Sequence, residues 1–335
     1  MIYPKIELHV HLEGTIRPRT LLEIARRNDY ALPAETEEGL ATLYDFRDFA
    51  HFIDVWILTT NALRTPEDFR QVVVDYAAEA ASHGAVYIEA IFSPAERVRR
   101  GVGWDEIFSG YCDGAQEARE LHAVEIRLTP DIVRGFPLDE AEQVVRYSAK
   151  YRERGIVGVG LGGLEAEFPP EPYEPVFALA RDEGLASVPH AGEVAGPPSV
   201  RGALEELGAH RLRHGIRAAE DPGLLREIAD RRIVLDVCPI SNLRTRAVSS
   251  LEDHPLPQLV AVGALCSIST DDPAMFGTDL AQDYDAATSL GLDPRDFFEA
   301  GLEGALCDDV TKSRVRAVGD SFAWDDLRAS EGQVP

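Results

Sequence analysis

Two histidines near the amino terminus are the first residues of this chain that could do chemistry. His9 and His11 stand two residues apart, and on a β-strand residues i and i+2 project from the same face. Two imidazoles directed at one point are suitable ligands for a borderline-soft divalent metal such as zinc. The same spacing arises by chance on amphipathic strands, so the pair needs further ligands to indicate a metal site.

A third imidazole and a carboxylate follow a later apolar run, in the segment His190-Ala191-Gly192-Glu193. At the end of a strand, His190 would be a further metal ligand, and Glu193 would face a substrate as general acid and base. The competing interpretation is structural, because the segment precedes a loop rich in glycine and proline and could cap a helix.

Two adjacent carboxylates, Asp271 and Asp272, follow the apolar run Ala264–Ile268. Neighbouring carboxylates repel one another, and a cation would offset that repulsion. A turn beginning at Asp272-Pro273 is the alternative. His214 ends another apolar run; a lone histidine is usually structural, and this one gains meaning only from its place at a strand end.

These signals are more informative together than singly, because a metal site requires several strands to converge. The candidate ligands, three nitrogens and one oxygen for one metal ion per chain, are His9, His11, His190 and Asp271. Such a set leaves one position for a water molecule, which the metal makes nucleophilic near neutral pH.

Short apolar runs alternate with amphipathic helical patterns along the chain. The predicted strands lie near Ile6–Val10, Ala85–Phe92, Val124–Thr129, Ile156–Leu161, Ala186–Pro189, Arg211–His214, Ile233–Val237 and Ala264–Ile268. The predicted helices include Pro66–Ser82, Leu138–Tyr151, Glu171–Glu183, Pro222–Asp230 and Asp279–Leu290. This alternation predicts an α/β protein with a parallel sheet. A (β/α)₈ TIM barrel fits the strand count and the length, and a doubly wound open sheet is the competitor.

The placement of the polar residues favours the barrel over the open sheet. The residues at or just past a predicted carboxyl strand end are His9, His190, His214 and Asp271. A barrel directs all such ends toward one mouth, whereas an open sheet spreads them along an edge. We expect residues 1–335 to form a single barrel domain of the metal-dependent hydrolase type, with extra helices at about 18–82 near the mouth.

Composition narrows the possible partners. The chain has 335 residues, 45% of them hydrophobic, and a formal net charge of −25, which disfavours nucleic-acid and membrane-surface binding. Its four cysteines form no C-x-x-C pair, and no apolar run approaches the roughly 20 residues of a membrane span. We expect a cytoplasmic, unprocessed protein; the sequence does not indicate its oligomeric state.

Five motifs together carry a specific resemblance. They are ELHVHLEGTIRP, VPHAGEV, RLRHGI, LDVCPISN and SISTDDPAMFGT, in this order between about residues 5 and 285. In these motifs the chain resembles the adenosine deaminase family of the amidohydrolase superfamily. The resemblance implies a (β/α)₈ barrel with one zinc ion, whose ligands would be His9, His11, His190 and Asp271.

The resemblance also implies a reaction and roles for the remaining site residues. Water activated by the metal would add to C6 of a 6-aminopurine, and ammonia would leave to give the 6-oxopurine. Glu193 would pass a proton to the ring nitrogen N1, and His214 would orient and stabilise the attacking oxygen. Asp272 would hydrogen-bond the purine N7, and the backbone of Gly163 would meet N3.

Two departures from the family pattern bear on the substrate. Glu13 stands where adenosine deaminases usually carry the aspartate that meets the ribose 5′-hydroxyl, and Ile91 stands where they carry arginine. Adenine deaminases of the family share the glutamate but typically read GLDSSE, where Gly160–Glu165 reads GLGGLE. A 6-aminopurine nucleoside with an altered 5′ end reconciles these observations. Aminodeoxyfutalosine, of the futalosine route to menaquinone, is such a nucleoside; adenosine and adenine are the second and third candidates.

A small basic cluster, Arg97, Arg99 and Arg100, follows Pro94. Its usual meaning is a solvated start of a helix. The functional alternative is that Arg97 binds the carboxylate of a substrate side arm, because the side arm of futalosine carries a benzoate.

Other function classes fit less well. Gly158-x-Gly160-x-x-Gly163 matches the fingerprint of a NAD-dependent oxidoreductase, but prolines after Gly163 prevent the helix that this fingerprint requires. His11-Leu12-Glu13 mimics the H-x-E of cytidine deaminases but lacks the P-C-x-x-C partner. A non-catalytic metal-binding barrel is a further alternative, against which the complete set of acid/base groups argues.

Overall fold

Strands and helices alternate along the chain, as the spacing of the apolar runs predicts. The computed structural model describes residues 2–46 and 49–331, and of residues 49, 50, 52, 53 and 328–331 it describes the backbone alone. Within these ranges the strand segments are β1 Lys5–His11, β2 Ala85–Ile91, β3 Glu125–Leu128, β4 Asp131–Val133, β5 Gly158–Gly162, β6 Ala186–Ser187, β7 His190–Ala191, β8 Arg211–His214, β9 Val234–Val237 and β10 Leu265–Ile268.

The helices lie between these strands and after the last of them. They are α1 Pro18–Arg27, α2 Glu37–Ala41, α3 Phe49–Asn61, α4 Pro66–Ser82, α5 Pro94–Val98, α6 Trp104–His122, α7 Leu138–Lys150, α8 Glu174–Asp182, α9 Pro197–Glu205, α10 Pro222–Asp230, α11 Pro239–Arg244, α12 Leu256–Ala261, α13 Pro273–Phe276, α14 Leu280–Ser289, α15 Pro294–Gly304, α16 Asp309–Ser321 and α17 Trp324–Glu331. Short 3₁₀ turns lie at Leu12–Thr15, Thr42–Tyr44, Arg152–Arg154, Glu171–Tyr173 and Ile216–Glu220.

The eight predicted strands are all present, and two of them are interrupted by proline. The third runs from β3 into β4 across Pro130, and the fifth runs from β6 into β7 across Pro189. Proline has no backbone N–H to donate to a neighbouring strand, so the regular ladder stops there. All the strand pairs are parallel, in the orders β1-β2-β3, β4-β5-β6 and β7-β8-β9-β10.

Single hydrogen-bonded contacts join these sheets into one ring. Leu128 forms a parallel bridge with Ile156, and the N–H of Arg213 donates to the carbonyl of Pro189 at 3.0 Å. The ring closes where Val10 of β1 bridges Asp271, just after β10. The predicted barrel is therefore confirmed, and the doubly wound open sheet is excluded.

Helix starts follow the local sequence closely. Pro66 and Pro222 occupy first-turn positions of α4 and α10, where the missing N–H costs nothing. Thr65 and Asp68 form a reciprocal capping box at the start of α4. Between β1 and β2 the chain forms α1 to α4, where several helices are predicted. Among the described helices, none combines the length and apolar character needed to cross a bilayer.

A buried ion network lies inside the barrel, below the strand ends. The Arg211 Nε donates to Asp236 Oδ2 at 2.5 Å, and its Nη2 lies 2.8 Å from Glu89 Oε2. The carbonyls of Leu8 and Gly304 accept its Nη2 and Nη1 hydrogens at 3.1 and 2.8 Å. Because Arg211 and both carboxylates are fully buried, each charge relies on the others for compensation.

Replacing this arginine should destabilise the barrel strongly. The substitution Arg211→Met leaves two buried carboxylates without the cation that compensates their charge and should lower the free energy of unfolding by about 3–5 kcal/mol. Urea titration measures the change as a lower midpoint at constant slope. Arg232→Met is the control, because Arg232 pairs with Glu303 on the exposed surface at 3.3 Å and should cost little. Equal costs for both variants would contradict the account.

Candidate metal centre and active site

Four side chains converge at the carboxyl ends of the strands. His9 and His11 lie on β1, His190 begins β7, and Asp271 follows β10. The Nε2 atom of His190 lies 3.0 Å from His9 Nε2 and 3.2 Å from His11 Nε2. The Oδ1 atom of Asp271 lies 3.2 and 3.4 Å from the same two histidine nitrogens. The structure thus brings together all four residues predicted as metal ligands.

The outer nitrogens of two of these histidines face hydrogen-bond acceptors. His9 Nδ1 lies 3.4 Å from the carbonyl oxygen of Asp236. His190 Nδ1 lies 3.2 Å from the carbonyl oxygen of Leu161 and 3.4 Å from Asp131 Oδ2. Because carbonyl oxygens only accept hydrogen bonds, the proton of each ring belongs on Nδ1, and Nε2 presents its lone pair to the centre.

This donor set fits a small divalent metal ion. Burial lowers the pKa of His9 to about 3, and burial together with His9 lowers the pKa of His190 well below its usual value. Neutral imidazoles whose lone pairs face one another repel unless a cation lies between them. The separations of 3.0 to 3.4 Å are close to the edge of roughly 3.3 Å in a tetrahedron of zinc bonds of about 2.0–2.1 Å.

A second group of possible donors shares one histidine with this cluster. It consists of His9, His214 and Cys238. Burial raises the pKa of the Cys238 thiol well above its usual value, so the thiol keeps its proton and is a poor ligand. Its Sγ lies 3.5 Å from His9 Nδ1, the nitrogen on the far side from the three other ligands. The geometry therefore favours the histidine–aspartate set.

Two residues of the site adopt backbone conformations that side chains rarely take. His214 has φ = 62° and Asp271 has φ = 64°, both in the left-handed region. Such strain concentrates at functional sites, where surrounding contacts hold it in place. For Asp271 those contacts include its backbone N–H to the carbonyl of His9 at 3.1 Å and the hydroxyl of Ser241, which donates to Oδ2 at 2.6 Å. The sequence alone gave no signal of this strain.

The loop that carries Glu193 is anchored by a carboxylate that sequence reasoning did not single out. Glu165 Oε2 accepts hydrogen bonds from the backbone N–H groups of Glu193, Val194 and Ala195 at 3.2, 2.9 and 3.0 Å. Its Oε1 accepts from Gly192 at 2.5 Å. Burial alone would raise the pKa of Glu165, but these hydrogen bonds outweigh it and lower the pKa. The fixed carboxylate therefore positions the Glu193 loop.

Glu193 and His214 face each other beside the metal cluster. Glu193 Oε2 lies 3.5 Å from His214 Nε2, and Thr245 donates to Glu193 Oε1 at 3.3 Å. Burial raises the pKa of Glu193, which favours the protonated form that a general acid needs. The Nε2 atom of His214 also lies 3.8 Å from Asp271 Oδ2. Glu193 and His214 thus reach the same small volume as the predicted ligands, among them Asp271, which is predicted to be catalytic as well.

Two further carboxylates at the mouth have one unpaired oxygen each among the described residues. These atoms are Asp272 Oδ1 and Glu13 Oε2. The other oxygen of Glu13 accepts from the backbone N–H of Ser93 at 2.8 Å. Burial raises the pKa of Glu13 to about 7, and burial with the neighbouring Asp271 raises that of Asp272 well above its usual value. Gly14 lies so close to Asp272 that a Cβ there would overlap the carboxylate.

The two remaining predicted substrate contacts differ in their surroundings. Gly163, with φ = 99°, is exposed just past β5, where only glycine adopts this conformation easily. Arg97 is 4% exposed, its Nη1 donates to Asn61 Oδ1 at 3.3 Å, and its Nε has no hydrogen-bond partner among the described residues. Arg99 and Arg100 are exposed, as expected for a solvated helix start, whereas Arg97 of the same basic cluster is buried.

The glycines that match the dinucleotide fingerprint have a packing role. Gly158 and Gly160 lie in β5, and a turn rather than a helix follows Gly163. A Cβ at Gly160 would overlap both Asp131 and the guanidinium of Arg213. The absence of a side chain therefore makes room for a buried ion pair, and the oxidoreductase alternative is wrong.

A (β/α)₈ barrel with such a cluster at its mouth defines a class of enzyme, the metal-dependent hydrolases. A model of the adenosine deaminase family matches residues 4–318. The chain belongs to the adenosine deaminase family, and it is a deaminase, a hydrolase acting on C–N bonds. The predicted family and enzyme class are confirmed.

Curated relatives cover nearly the whole chain. It is 54% identical over 328 residues to the aminodeoxyfutalosine deaminase of Acidothermus cellulolyticus, covering 96% of this chain and 92% of the relative. It is 35% identical to the adenine deaminase of Cupriavidus necator, covering 95% and 92% of the two chains.

Solved structures share the fold over a similar extent. The adenine deaminase of Arthrobacter aurescens aligns with a TM-score of 0.88 and 29% identity, over 95% of this chain and 98% of that one. An amidohydrolase of Burkholderia ambifaria with bound Zn aligns with a TM-score of 0.87 and 26% identity, over 98% and 92%. The predicted barrel agrees with both neighbours.

Removing one histidine of the cluster should abolish metal binding and activity together. The substitution His9→Ala deletes the nitrogen that lies close to both His190 and Asp271, so the purified variant should contain little bound metal. Elemental analysis by plasma mass spectrometry measures this, and ammonia release measures activity. His122→Ala, at the end of α6, is the matched control and should keep both. A fully active His9→Ala variant without metal would refute the metal site.

Proposed function

We propose that this protein is a zinc-dependent deaminase that converts a 6-aminopurine nucleoside to the 6-oxopurine and ammonia, with aminodeoxyfutalosine as the favoured substrate. The observation that carries the proposal is the common position of Glu193, His214 and Asp272 around the four predicted ligands. Zinc, rather than another divalent ion, is supported by the three-nitrogen, one-oxygen donor set and by the zinc in the related amidohydrolase. We further propose that the reaction takes place in the cytoplasm.

Each residue has a role that follows from its chemistry. Zinc, when bound, supplies a Lewis acid that lowers the pKa of water to near 7. Glu193 protonates the ring nitrogen N1, which lets the purine accept electrons at C6. His214 stabilises the charge that develops on the attacking oxygen. Asp272 hydrogen-bonds N7, the Gly163 backbone meets N3, and ammonia departs once the exocyclic nitrogen has gained a proton.

The residues around the substrate favour a nucleoside with a changed 5′ end. Glu13 is buried, and its Oε2 has no hydrogen-bond partner among the described residues. Its longer side chain occupies space that the shorter aspartate leaves for a 5′-hydroxyl. The relative at 54% identity is named for aminodeoxyfutalosine, and a relative at 35% is named for adenine. We therefore rank aminodeoxyfutalosine before adenosine and adenine, and we place the reaction in the futalosine route to menaquinone.

A side-by-side assay of three substrates tests the proposal. Zinc-loaded protein should release ammonia from aminodeoxyfutalosine with a kcat/KM at least about tenfold above that for adenosine, a difference of about 1.4 kcal/mol in transition-state binding. The absorbance change from 6-aminopurine to 6-oxopurine measures all three substrates. Rapid turnover of adenine with neither nucleoside accepted would refute the nucleoside proposal. Bound zinc without ammonia release from any 6-aminopurine would favour a non-catalytic barrel.

Arg97 provides a sharper test of the favoured substrate. If its guanidinium binds the benzoate of the side arm, Arg97→Gln should raise KM for aminodeoxyfutalosine about tenfold or more and leave KM for adenosine nearly unchanged. The neighbouring Arg99→Gln is the matched control, because Arg99 pairs with Glu140 on the surface at 2.8 Å. Equal effects of Arg97→Gln on both nucleosides would remove the proposed contact.

A further inference from the structure

A chain of hydrogen bonds runs from the backbone into the active site. The N–H of Leu256 donates to His254 Nδ1 at 3.0 Å. The other ring nitrogen of His254, Nε2, lies 3.2 Å from Asn242 Oδ1. The amide nitrogen of Asn242 in turn lies 3.1 Å from His214 Nδ1. Two side chains, those of His254 and Asn242, therefore link one backbone amide to the His214 imidazole beside Glu193.

The direction of every hydrogen bond in this chain is fixed by its first member. A backbone N–H only donates, so His254 Nδ1 must accept and carries no proton. The neutral ring then has its proton on Nε2, which must donate to an acceptor. The facing atom of Asn242 is therefore its oxygen, and its other atom is the NH₂ group, a donor only. The orientation of the Asn242 amide therefore follows from its hydrogen-bond partners alone.

Burial keeps this chain in a single protonation pattern. Asn242 is fully buried, His254 is 3% exposed and His214 is 1% exposed, so water cannot replace the partners. Protonating His254 would require Nδ1 to donate toward the N–H of Leu256. Burial lowers the pKa of His254 to about 4, in keeping with its accepting role.

From this chain we infer that Asn242 and His254 fix the tautomer of His214, with a hydrogen-bond acceptor at Nδ1 and the ring proton on Nε2. The NH₂ group of Asn242 donates to His214 Nδ1, so that nitrogen keeps its lone pair. The Nε2–H is directed toward the reaction volume, 3.5 Å from Glu193 Oε2 and 3.8 Å from Asp271 Oδ2. Asn242 and His254 are positioning residues, because they act only through His214.

This proton placement limits what His214 does in the reaction, and that consequence rests on the proposed function. An imidazole that presents N–H to the site donates a hydrogen bond to an oxygen, and it has no lone pair there with which to take a proton from water. His214 therefore stabilises the attacking oxygen without serving as its general base. Within the described part of the site, Glu193 remains the group placed to move protons between water, N1 and the leaving nitrogen.

Nitrogen NMR of the zinc-loaded protein tests the inference without any substrate. The protein is labelled with ¹⁵N in its nine histidines, and His214→Gln and His254→Gln identify the two sets of signals. The inference predicts a pyridine-like Nδ1 and a pyrrole-like Nε2 for both His214 and His254 in the wild-type protein. A pyrrole-like Nδ1 at His214 overturns it. This outcome is separate from the substrate assay, because the tautomer is read whether or not any aminopurine is hydrolysed.

The substitution Asn242→Asp replaces the hydrogen-bond donor that faces His214 Nδ1 with an acceptor. A carboxylate only accepts, so His214 Nδ1 should gain a proton and its signal should become pyrrole-like. We expect kcat to fall about 10²-fold or more, as for other active-site histidines with a misplaced proton, while KM changes less than about threefold. An unchanged Nδ1 signal in this variant, or an unchanged kcat, overturns the positioning role.

A matched variant separates positioning from a loss of stability. Asn28 is a half-buried asparagine whose amide donates to Asp68 Oδ2 at 2.7 Å, far along the chain from the site. Asn28→Asp should lower Tm through repulsion between two carboxylates, and it should leave the His214 signals and kcat unchanged. If both aspartate variants lower kcat equally and neither moves the Nδ1 signal, the role of Asn242 is structural and the inference is wrong.

Discussion

Three imidazole lone pairs and one carboxylate face each other across 3.0 to 3.4 Å at the mouth of the barrel. Such an arrangement is unfavourable in the absence of a cation, and the rest of the structure serves to maintain it. Two of the histidines share a strand face, and the third comes from the opposite side of the ring. Asp271 takes its place only because β1 and β10 close the barrel, through hydrogen bonds of 2.7 and 3.1 Å between Asp271 and the backbones of His11 and His9. The contacts that close the sheet are thus the same contacts that place Asp271 beside the histidines.

Charged side chains inside the barrel support this arrangement from below. Barrel interiors are usually filled by layers of branched apolar residues. In this barrel, Arg211 and Arg213 of β8 are fully buried in the interior. Arg213 pairs with Asp131, whose second oxygen faces the Nδ1 of His190. This ion pair, which needs Gly160 for space, therefore lies directly beside His190, one of the predicted ligands. Burying one such charged group alone costs free energy, and the hydrogen bonds and ion pairs of the connected network offset that cost.

The sequence was sufficient for the parts of the site that lie on regular elements. Strand periodicity predicts that His9 and His11 share a face, and strand ends locate His190, His214 and Asp271 on one side of the barrel. It was insufficient where position depends on contacts between distant segments. Glu165 anchors the Glu193 loop although the two residues are 28 positions apart in the sequence, and no local sequence pattern predicts this contact.

The exact ends of the strands, the backbone conformations at the site and the burial of single side chains were also not predicted from local sequence patterns. The strand interruptions at Pro130 and Pro189 are readable in principle, because proline cannot donate to a ladder. The left-handed conformations of His214 and Asp271 are not, since tertiary contacts impose them on ordinary residues. The basic cluster of Arg97, Arg99 and Arg100 suggested a solvated helix start, but Arg97 is buried, because packing around the mouth rather than its own charge decides its exposure.

X-ray absorption spectroscopy of the zinc-loaded protein tests the metal centre most directly. The account predicts a first shell of nitrogen and oxygen at about 2.0–2.1 Å, with multiple-scattering features of three imidazoles and without sulfur. A zinc–sulfur distance of about 2.3 Å would place the ion at Cys238 instead, and fewer than three imidazoles would mean that His9, His11 and His190 do not share one ion. Either result would contradict the central claim.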